Sequence, residues 1–218
     1  MIRQFGLGEA AFLLKAAQWT VLLSLVAFVG GGLVGFALAL LRTARFRPAN
    51  YAAIGYIQVL QGTPLLAQLF VFYFGLGIFG VDVSAWFAAA LALTLYASAF
   101  LGEIWRGCIQ AIPRTQWEAA AALALGWGQQ MRHVILPQAA RIAIPPTVGF
   151  LVQVVKNTSL TSVIGFIELT RAGQIINGAT FQPFTVYTVV AFIYFWLCFP
   201  LSVWSQRLER RLGVARAR

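Results

Sequence analysis

The sequence predicts an all-α membrane protein with five transmembrane helices and one polar helix–turn–helix between the third and the fourth. Three observations predict it. The 218 residues are 60% hydrophobic and only 10% charged, whereas a soluble domain carries about 25% charged residues. The apolar residues gather into five runs, each near the roughly 20 residues that cross hydrocarbon. Fifteen of the sixteen Lys and Arg fall outside those runs. A polytopic unit of this size reads as one domain, residues 1–218.

The first span is about Ala16 to Leu41. It contains "GGGLVGFALALL", with Gly31 and Gly35 four residues apart. Small residues at that spacing let a second helix approach closely. The run lacks a short apolar core followed by a small-residue cleavage site, so it reads as a retained span. The second span is about Tyr56 to Phe79 and the third about Val83 to Trp105. The fourth is about Ile142 to Phe166, with Pro145 and Pro146 near its start predicting a kink. The fifth is about Phe184 to Trp204.

Charge sets the orientation. Arg42, Arg45 and Arg47 follow span one. Arg106, Arg114, Arg132 and Arg141 lie between spans three and four. Arg207, Arg210, Arg211, Arg216 and Arg218 follow span five. The opposite side receives Arg3, Lys15 and Arg171, and Lys156 lies within span four. The positive-inside rule makes the three basic segments cytoplasmic. The N-terminus is then outside and the C-terminus inside. The net charge of +10 belongs to this bias and not to a nucleic-acid stripe. Cys108 and Cys198 form neither a disulfide framework nor a metal pattern. His133 is the lone histidine. No Ser–His–acid set or other catalytic constellation occurs.

The cytoplasmic segment 115–137 is the unusual part. Pro113 stops the helix arriving from span three. Thr115 and Glu118 have the spacing of a capping box. The alanine run after Glu118 has high helix propensity. Gly126, Trp127 and Gly128 predict a bend, and a second short helix of about Gln129 to Leu136 then stops at Pro137. Trp117, Leu123, Leu125 and Trp127 offer apolar anchors. The pair reads either as an interfacial hairpin on lipid or as a docking element for a cytoplasmic partner.

"EAA" at Glu118–Ala120 followed by "HVILPQA" at His133–Ala139 resembles the EAA loop of ABC importer permease subunits. "QGTPLLAQLFVFYFGL" (61–76), "GEIWRGCIQAIPRTQWEAA" (102–120) and "KNTSLTSVIGFIELTRAGQ" (156–174) resemble the polar amino acid branch of that family, the histidine, glutamine, arginine and opine type. The likeness runs from about Leu14 to Leu212. It implies a type I importer permease fold in a bacterial inner membrane. It implies that the loop, with Glu118, Ala119, Ala120, Ala124, Gly126 and Pro137, docks on a separate ATPase subunit. The further partners implied are a second permease subunit, in a homodimer or a heterodimer, and an extracytoplasmic solute-binding protein. ATP and Mg would sit on the partner. Independently, the chain contains no G-x-x-x-x-G-K-[ST] phosphate loop, so no cofactor is assigned to it. Three positions depart from the family pattern. Ala124 stands where a glycine is common, with Gly126 two residues later, which predicts a shifted bend. Gln61 replaces an Arg, and Asn157 replaces an Asp.

Ionisable residues inside a span are functional candidates by default. Lys156 is fourteen residues past Ile142, roughly 21 Å along a helix and beyond the midplane toward the outside. It reads as a snorkelling Lys or as a cavity-facing one. Asn157, Thr158 and Ser159 extend a polar run that lipid does not accommodate, and the resemblance also marks this stretch as pathway-lining. Glu103 and Arg106 have ion-pair spacing on a helix, structural or pathway-facing. Gln58, Gln61 and Gln68 read as one polar face, interrupted at Thr63 and Pro64. Glu168 and Arg171, in a short outer helix of about 167–173, read as solvated. Two readings of function remain at this level: an ATP-driven importer subunit, and a self-contained secondary transporter or channel. The absence of a visible internal repeat argues against many of the latter. A membrane-embedded enzyme lacks its catalytic cluster.

Overall fold

The computed structural model describes residues 4–44 and 46–212. Arg3, Arg45, Arg216 and Arg218, counted above in the charge clusters, lie outside the described residues.

The first span is longer than its apolar run. Helix α1 covers Leu7–Thr43, 37 residues, or about 55 Å, against roughly 30 Å of hydrocarbon. The Gly6 N–H donates to the Glu9 carboxylate at 3.0 Å and closes the first turn.

The second span is broken. Helix α2 covers Arg47–Gly62, and α3 covers Leu65–Ile78 after a bend of 100°. Pro64 explains the break. It has no N–H, and it forces the preceding Thr63 into extended backbone (φ −116°, ψ 141°). Gln58, Gln61 and Gln68 therefore do not share a face, because the bend separates Gln68 from the other two.

Helix α4, Ala85–Gln110, starts at Ser84, whose Oγ accepts from the Phe87 N–H at 3.2 Å. It is the central helix. Ala88, Ala89, Ala92, Leu93, Ala97 and Leu101 are fully buried in the main core. Its most extensive partner is α1. Gly31 and Gly35 lie against Ala97, Ser98 and Gly102, the close approach that the four-residue spacing predicted.

Helix α5, Arg114–Ala122, is the first arm of the polar hairpin. The second arm is not a separate helix. Helix α6 runs Trp127–Ile164, 38 residues, through Pro137 and through Pro145 and Pro146. The expected stop at Pro137 does not occur. A wide π-helical turn at Met131–Ile135 precedes the proline, and a widened turn is one way a helix accommodates a missing N–H. The last part of α6, Thr158–Ile164, is wound more tightly, as a 3₁₀ helix. Helix α7, Leu169–Thr180, takes the place of the short helix expected at about 167–173 and is longer than expected. Helix α8, Pro183–Arg211, packs on α6, where the Ser205 Oγ donates to the Pro145 carbonyl at 2.8 Å.

Candidate functional site: the hairpin, the pathway segment and the outer network

The hairpin is closed by hydrogen bonds counted from the end of α5. The Leu125 N–H donates to the Ala120 carbonyl at 3.3 Å, and the Ala124 N–H to the Ala121 carbonyl at 2.9 Å. This pair is a Schellman closure, which places the residue between them in the left-handed region. That residue is Ala124, at φ 59°. The bend is therefore not shifted to Gly126. It stays where the family pattern has glycine, and the alanine bears the strain. Gly126 instead begins α6 in extended backbone, its N–H donating to the Gln129 Oε1 at 3.0 Å. Left-handed backbone costs an L-residue roughly 1–2 kcal/mol. Ala124→Gly is expected to stabilise the protein by about 1 kcal/mol, read as a rise in the thermal midpoint of the purified protein, with no fall in transport. An unchanged or lower midpoint would contradict the strain.

The capping box is absent. Helix α5 begins at Arg114, with Pro113 in the cap position, and Thr115 already lies inside its first turn. Glu118 is exposed and makes no hydrogen bond or ion pair to another described residue. Ala119, Ala122 and Leu123 are exposed around it, while Ala120 is buried. Two of the expected anchors point inward. Trp117 and Trp127 pack against a core of Ile109, Ile112, Met131 and Ile135. Leu123, 75% exposed, is the apolar group left on the outer surface beside Glu118. The Gln138 amide donates to the Gln116 Oε1 at 3.3 Å and to the Val134 carbonyl at 2.7 Å, tying the two arms together. The hairpin is thus a rigid body with one polar–apolar face open.

The other end of α6 carries the pathway candidates. Lys156 is exposed in the last α-helical turn, Asn157 is half-buried and Thr158 is fully buried. Asn157 accepts from the Gln153 amide at 3.1 Å. The Ser159 hydroxyl donates to the Lys156 carbonyl at 2.7 Å. The polar run thus marks the change from α to 3₁₀ winding. Segment α3 packs against Thr158–Ile164, which brings the broken second span to the polar run. Gln61 and Thr63 are engaged by backbone: the Gln61 amide donates across to the Ala99 carbonyl of α4 at 3.2 Å, and the Thr63 hydroxyl to the Val59 carbonyl of its own helix at 2.7 Å.

Glu103 does not join that cluster. It sits between two guanidinium groups, Arg42 at 3.3 Å and Arg106 at 2.6 Å, and Arg42 also donates to the Asn50 side chain at 2.6 Å. This clasp ties α1, α2 and α4 together. It leaves Glu103 paired with two guanidinium groups.

Sequence reasoning missed the network around Glu168. Glu168 is not solvated but fully buried. It caps α7, accepting from the Thr170 N–H at 2.9 Å and the Arg171 N–H at 2.8 Å. It also accepts from the Tyr194 hydroxyl at 2.8 Å and the Thr20 hydroxyl at 3.5 Å. Burial pushes the Glu168 carboxyl above its ordinary range, and these donors pull it back in part. An acidic residue just before a helix was the available signal for the cap. Arg171 is half-buried, and its guanidinium donates to Gln174 at 3.0 Å.

A cavity of about 520 Å³ lies between α1, α4, α6 and α8, lined by Phe36, Trp105, Ile109, Ala143, Leu151 and Trp204 among others. Its walls are almost wholly apolar. The Trp105 indole N–H is already bonded to the Thr147 hydroxyl at 2.8 Å. The cavity therefore holds no group suited to orienting a zwitterion and is distinct from the polar run.

A family model described as the inner membrane component of binding-protein-dependent transport systems matches residues 31–214. The chain belongs to this family. It is 35% identical over 200 residues to the probable amino-acid ABC transporter permease protein YckA of Bacillus subtilis, covering 92% of this chain and 88% of that protein. It is 34% identical over 200 residues to the nopaline transport system permease protein NocM of Agrobacterium fabrum, covering 87% and 83%. A crystal structure of an amino acid ABC transporter with histidines superposes with a TM-score of 0.87 at 36% identity, over 92% of this chain and 94% of that one. An inward-facing methionine ABC transporter, MetNI, shares the fold with a TM-score of 0.79 at 20% identity, over 95% and 99%. The chain is accordingly a permease subunit of an ATP-driven importer, with the all-α type I importer fold. That membership favours the importer over the self-contained transporter.

Proposed function

We propose that this permease subunit carries polar amino acids or related opines across a bacterial inner membrane, and that α6 is the lever that couples ATP hydrolysis to the pathway. One observation carries the reading. The hairpin arm and the polar run Lys156–Ser159 belong to the same continuous helix, Trp127–Ile164. A displacement of the hairpin by an ATPase subunit therefore moves the polar run without a flexible joint between them. The relatives named above supply the substrate class.

In this reading the chain is one permease domain, residues 1–218. The hairpin face with Glu118, Ala119 and Leu123 docks on the ATPase, whose bound ATP and Mg drive the cycle. A second permease subunit completes the gate, and a solute-binding protein delivers substrate to the opposite face. The basic clusters place the hairpin and the C-terminus in the cytoplasm and the N-terminus outside. Lys156, Asn157, Thr158 and Ser159 line the path. With Asn157 neutral, the nearest ionised group is the Lys156 ammonium, which disfavours a purely cationic substrate.

The test is Glu118→Ala. Glu118 has no part in a helix cap, so its removal leaves the hairpin intact. Membrane abundance and thermal midpoint are expected to stay at wild-type values, while substrate uptake falls at least about tenfold, the effect of losing one charge-assisted contact at a docking surface. A pull-down of the tagged protein is expected to recover an ATPase with wild type and lose it with the variant. Equal uptake by both proteins would remove Glu118 from the docking face. Failure of wild type to retain any ATPase in mild detergent would overturn the reading as a whole.

A further inference from the structure

The buried carboxylate of Glu168 is not explained by helix capping alone. Two backbone N–H groups satisfy a cap, yet Glu168 also draws in side chains from two other helices. Thr20 of α1 donates to it and at the same time accepts from the Leu169 N–H at 3.2 Å. Tyr194 of α8 donates to it, and the same hydroxyl lies 3.0 Å from the Thr170 Oγ1. The Tyr194 ring packs against Val152 and Val155 of α6, and the Val155 carbonyl accepts from the Thr158 hydroxyl at 2.8 Å. Thr158 is the fully buried residue at the start of the 3₁₀ turn, within the polar run. Hydrogen bonds and then side-chain packing thus form a contiguous path from the outer helix α7, through Glu168 and Tyr194, to the proposed pathway segment. A buried polar network costs free energy wherever it is incompletely satisfied, so its members hold one relative position.

We propose that Glu168 and Tyr194 are positioning residues that link the outer helix α7 mechanically to the pathway segment Lys156–Ser159, so that contact of a loaded binding protein with the outer face is felt at the pathway. This rests on the reading of the chain as a binding-protein-dependent permease. Helix α7 is suited to the role. One face is buried through Leu169, Ala172, Gly173 and Ile176, and the opposite face, with Ile175, Gly178 and Ala179, is exposed. Gly173 seats α7 against α8 so closely that a Cβ there would lie 2.8 Å from the Val190 side chain. Helix α7 therefore moves with its bonded neighbours and not by itself. Coupling of this kind travels along contiguous bonded and packed elements, and pairwise substitution measures it.

The experiment uses the assembled transporter in lipid nanodiscs with its ATPase and binding protein, comparing wild type with Glu168→Gln, Tyr194→Phe and the double variant. Glutamine keeps an acceptor for the Arg171 N–H but sets an amide NH2 in place of the oxygen that accepts from the Thr170 N–H, Thr20 and Tyr194. Phenylalanine keeps the ring packing and removes the hydroxyl. Complex yield and basal ATPase rate are expected to stay close to wild type, while the thermal midpoint falls by a few degrees, the effect of leaving a buried polar group unpaired. Stimulation of the ATPase by loaded binding protein is expected to fall about tenfold in each single variant. The double variant should be no worse than the worse single one, because both break one link. Unchanged stimulation in an assembled single variant, or a fall that only follows loss of complex, overturns the link. Additive losses in the double variant overturn it as well. If wild type itself shows no stimulation by any loaded binding protein, the permease reading fails first and the link with it.

Discussion

Replacing Gly35 with valine is expected to lower the thermal midpoint and the membrane abundance of the protein. A Cβ at Gly35 would lie 2.9 Å from the Ser98 carbonyl oxygen, 3.1 Å from the Gly102 nitrogen and 3.1 Å from the Leu101 Cβ. Two of these three are backbone atoms of α4, which cannot rotate away. Gly31 meets the same helix one turn earlier, where a Cβ would lie 2.6 Å from the Ala97 Cβ and 3.0 Å from the Thr94 carbonyl. Within a bilayer, helices associate through close packing and not through a hydrophobic drive. A wedge at this seam therefore removes the main source of attraction between α1 and α4. Overpacking of this kind costs about 1–3 kcal/mol per site, and the double substitution of Gly31 and Gly35 is expected to prevent accumulation of folded protein. The effect extends to α2, because the Ser98 hydroxyl beside the seam bonds the Tyr56 hydroxyl at 2.7 Å. Gly55 and Gly107 are the controls. A Cβ at either meets nothing within 4 Å, so alanine there is expected to stay within about 0.5 kcal/mol of wild type. A Gly35→Val protein as abundant and as heat-resistant as these controls would mean that α1 and α4 are not in close contact.

The glycine seam was legible in the sequence because it depends on spacing alone: two small residues four apart on an apolar helix leave one possible use. The hairpin was legible in outline for a similar reason, since a polar, alanine-rich stretch bounded by prolines between two apolar runs has few alternatives. Its details were not. The bend was assigned to Gly126 from glycine's intrinsic freedom, but the left-handed position follows from where α5 ends and which carbonyls its last turn leaves open, and that count arrives at Ala124. The Thr115–Glu118 spacing is a local pattern that any first turn can hold, and α5 starts one residue before it. Pro137 looked like a stop because the widened turn that accommodates it is invisible in a list of residues. Glu168 was misplaced for another reason. Thr20 and Tyr194, which bury it, are 148 and 26 residues away in the chain, and no local window contains them. The candidate pathway residues divide the same way. The polar run at Lys156–Ser159 announced itself by its composition, whereas the double pairing of Glu103 required Arg42 from another helix.

Gln68→Leu is expected to destabilise the broken second span, because this side chain supplies the N–H that proline withholds. In an unbroken helix the N–H of residue 64 would donate to the Leu60 carbonyl. Pro64 has none. Gln68 lies one turn later in α3, and its Nε2 donates to that same Leu60 carbonyl at 2.8 Å, while Thr63 offers its Oγ1 at 3.0 Å and its carbonyl at 3.2 Å. Gln68 is held for the task by its own N–H, which donates to the Pro64 carbonyl at 3.1 Å. It is buried, and its Oε1 makes no hydrogen bond, so the amide serves here for its donors. The side chain thus fastens the end of α2 to the start of α3 and holds the 100° bend that carries α3 against Thr158–Ile164. Leucine fills the space but leaves the Leu60 carbonyl without a partner, at a cost of about 1–3 kcal/mol. In a protein of this size that is a fall in midpoint of roughly 2–4 °C per kcal/mol. Glutamate is the sharper variant. As a carboxylate it has no donor and sets negative charge against two carbonyl oxygens, so it is expected to be worse than leucine. Amide hydrogen exchange over residues 60–69 should quicken in both variants and stay unchanged in α8, which does not touch the bend. Equal midpoints for wild type, Gln68→Leu and Gln68→Glu would show that the bend is held by packing alone. The ordering wild type, leucine, glutamate would show that a donor at this position replaces the one proline lacks.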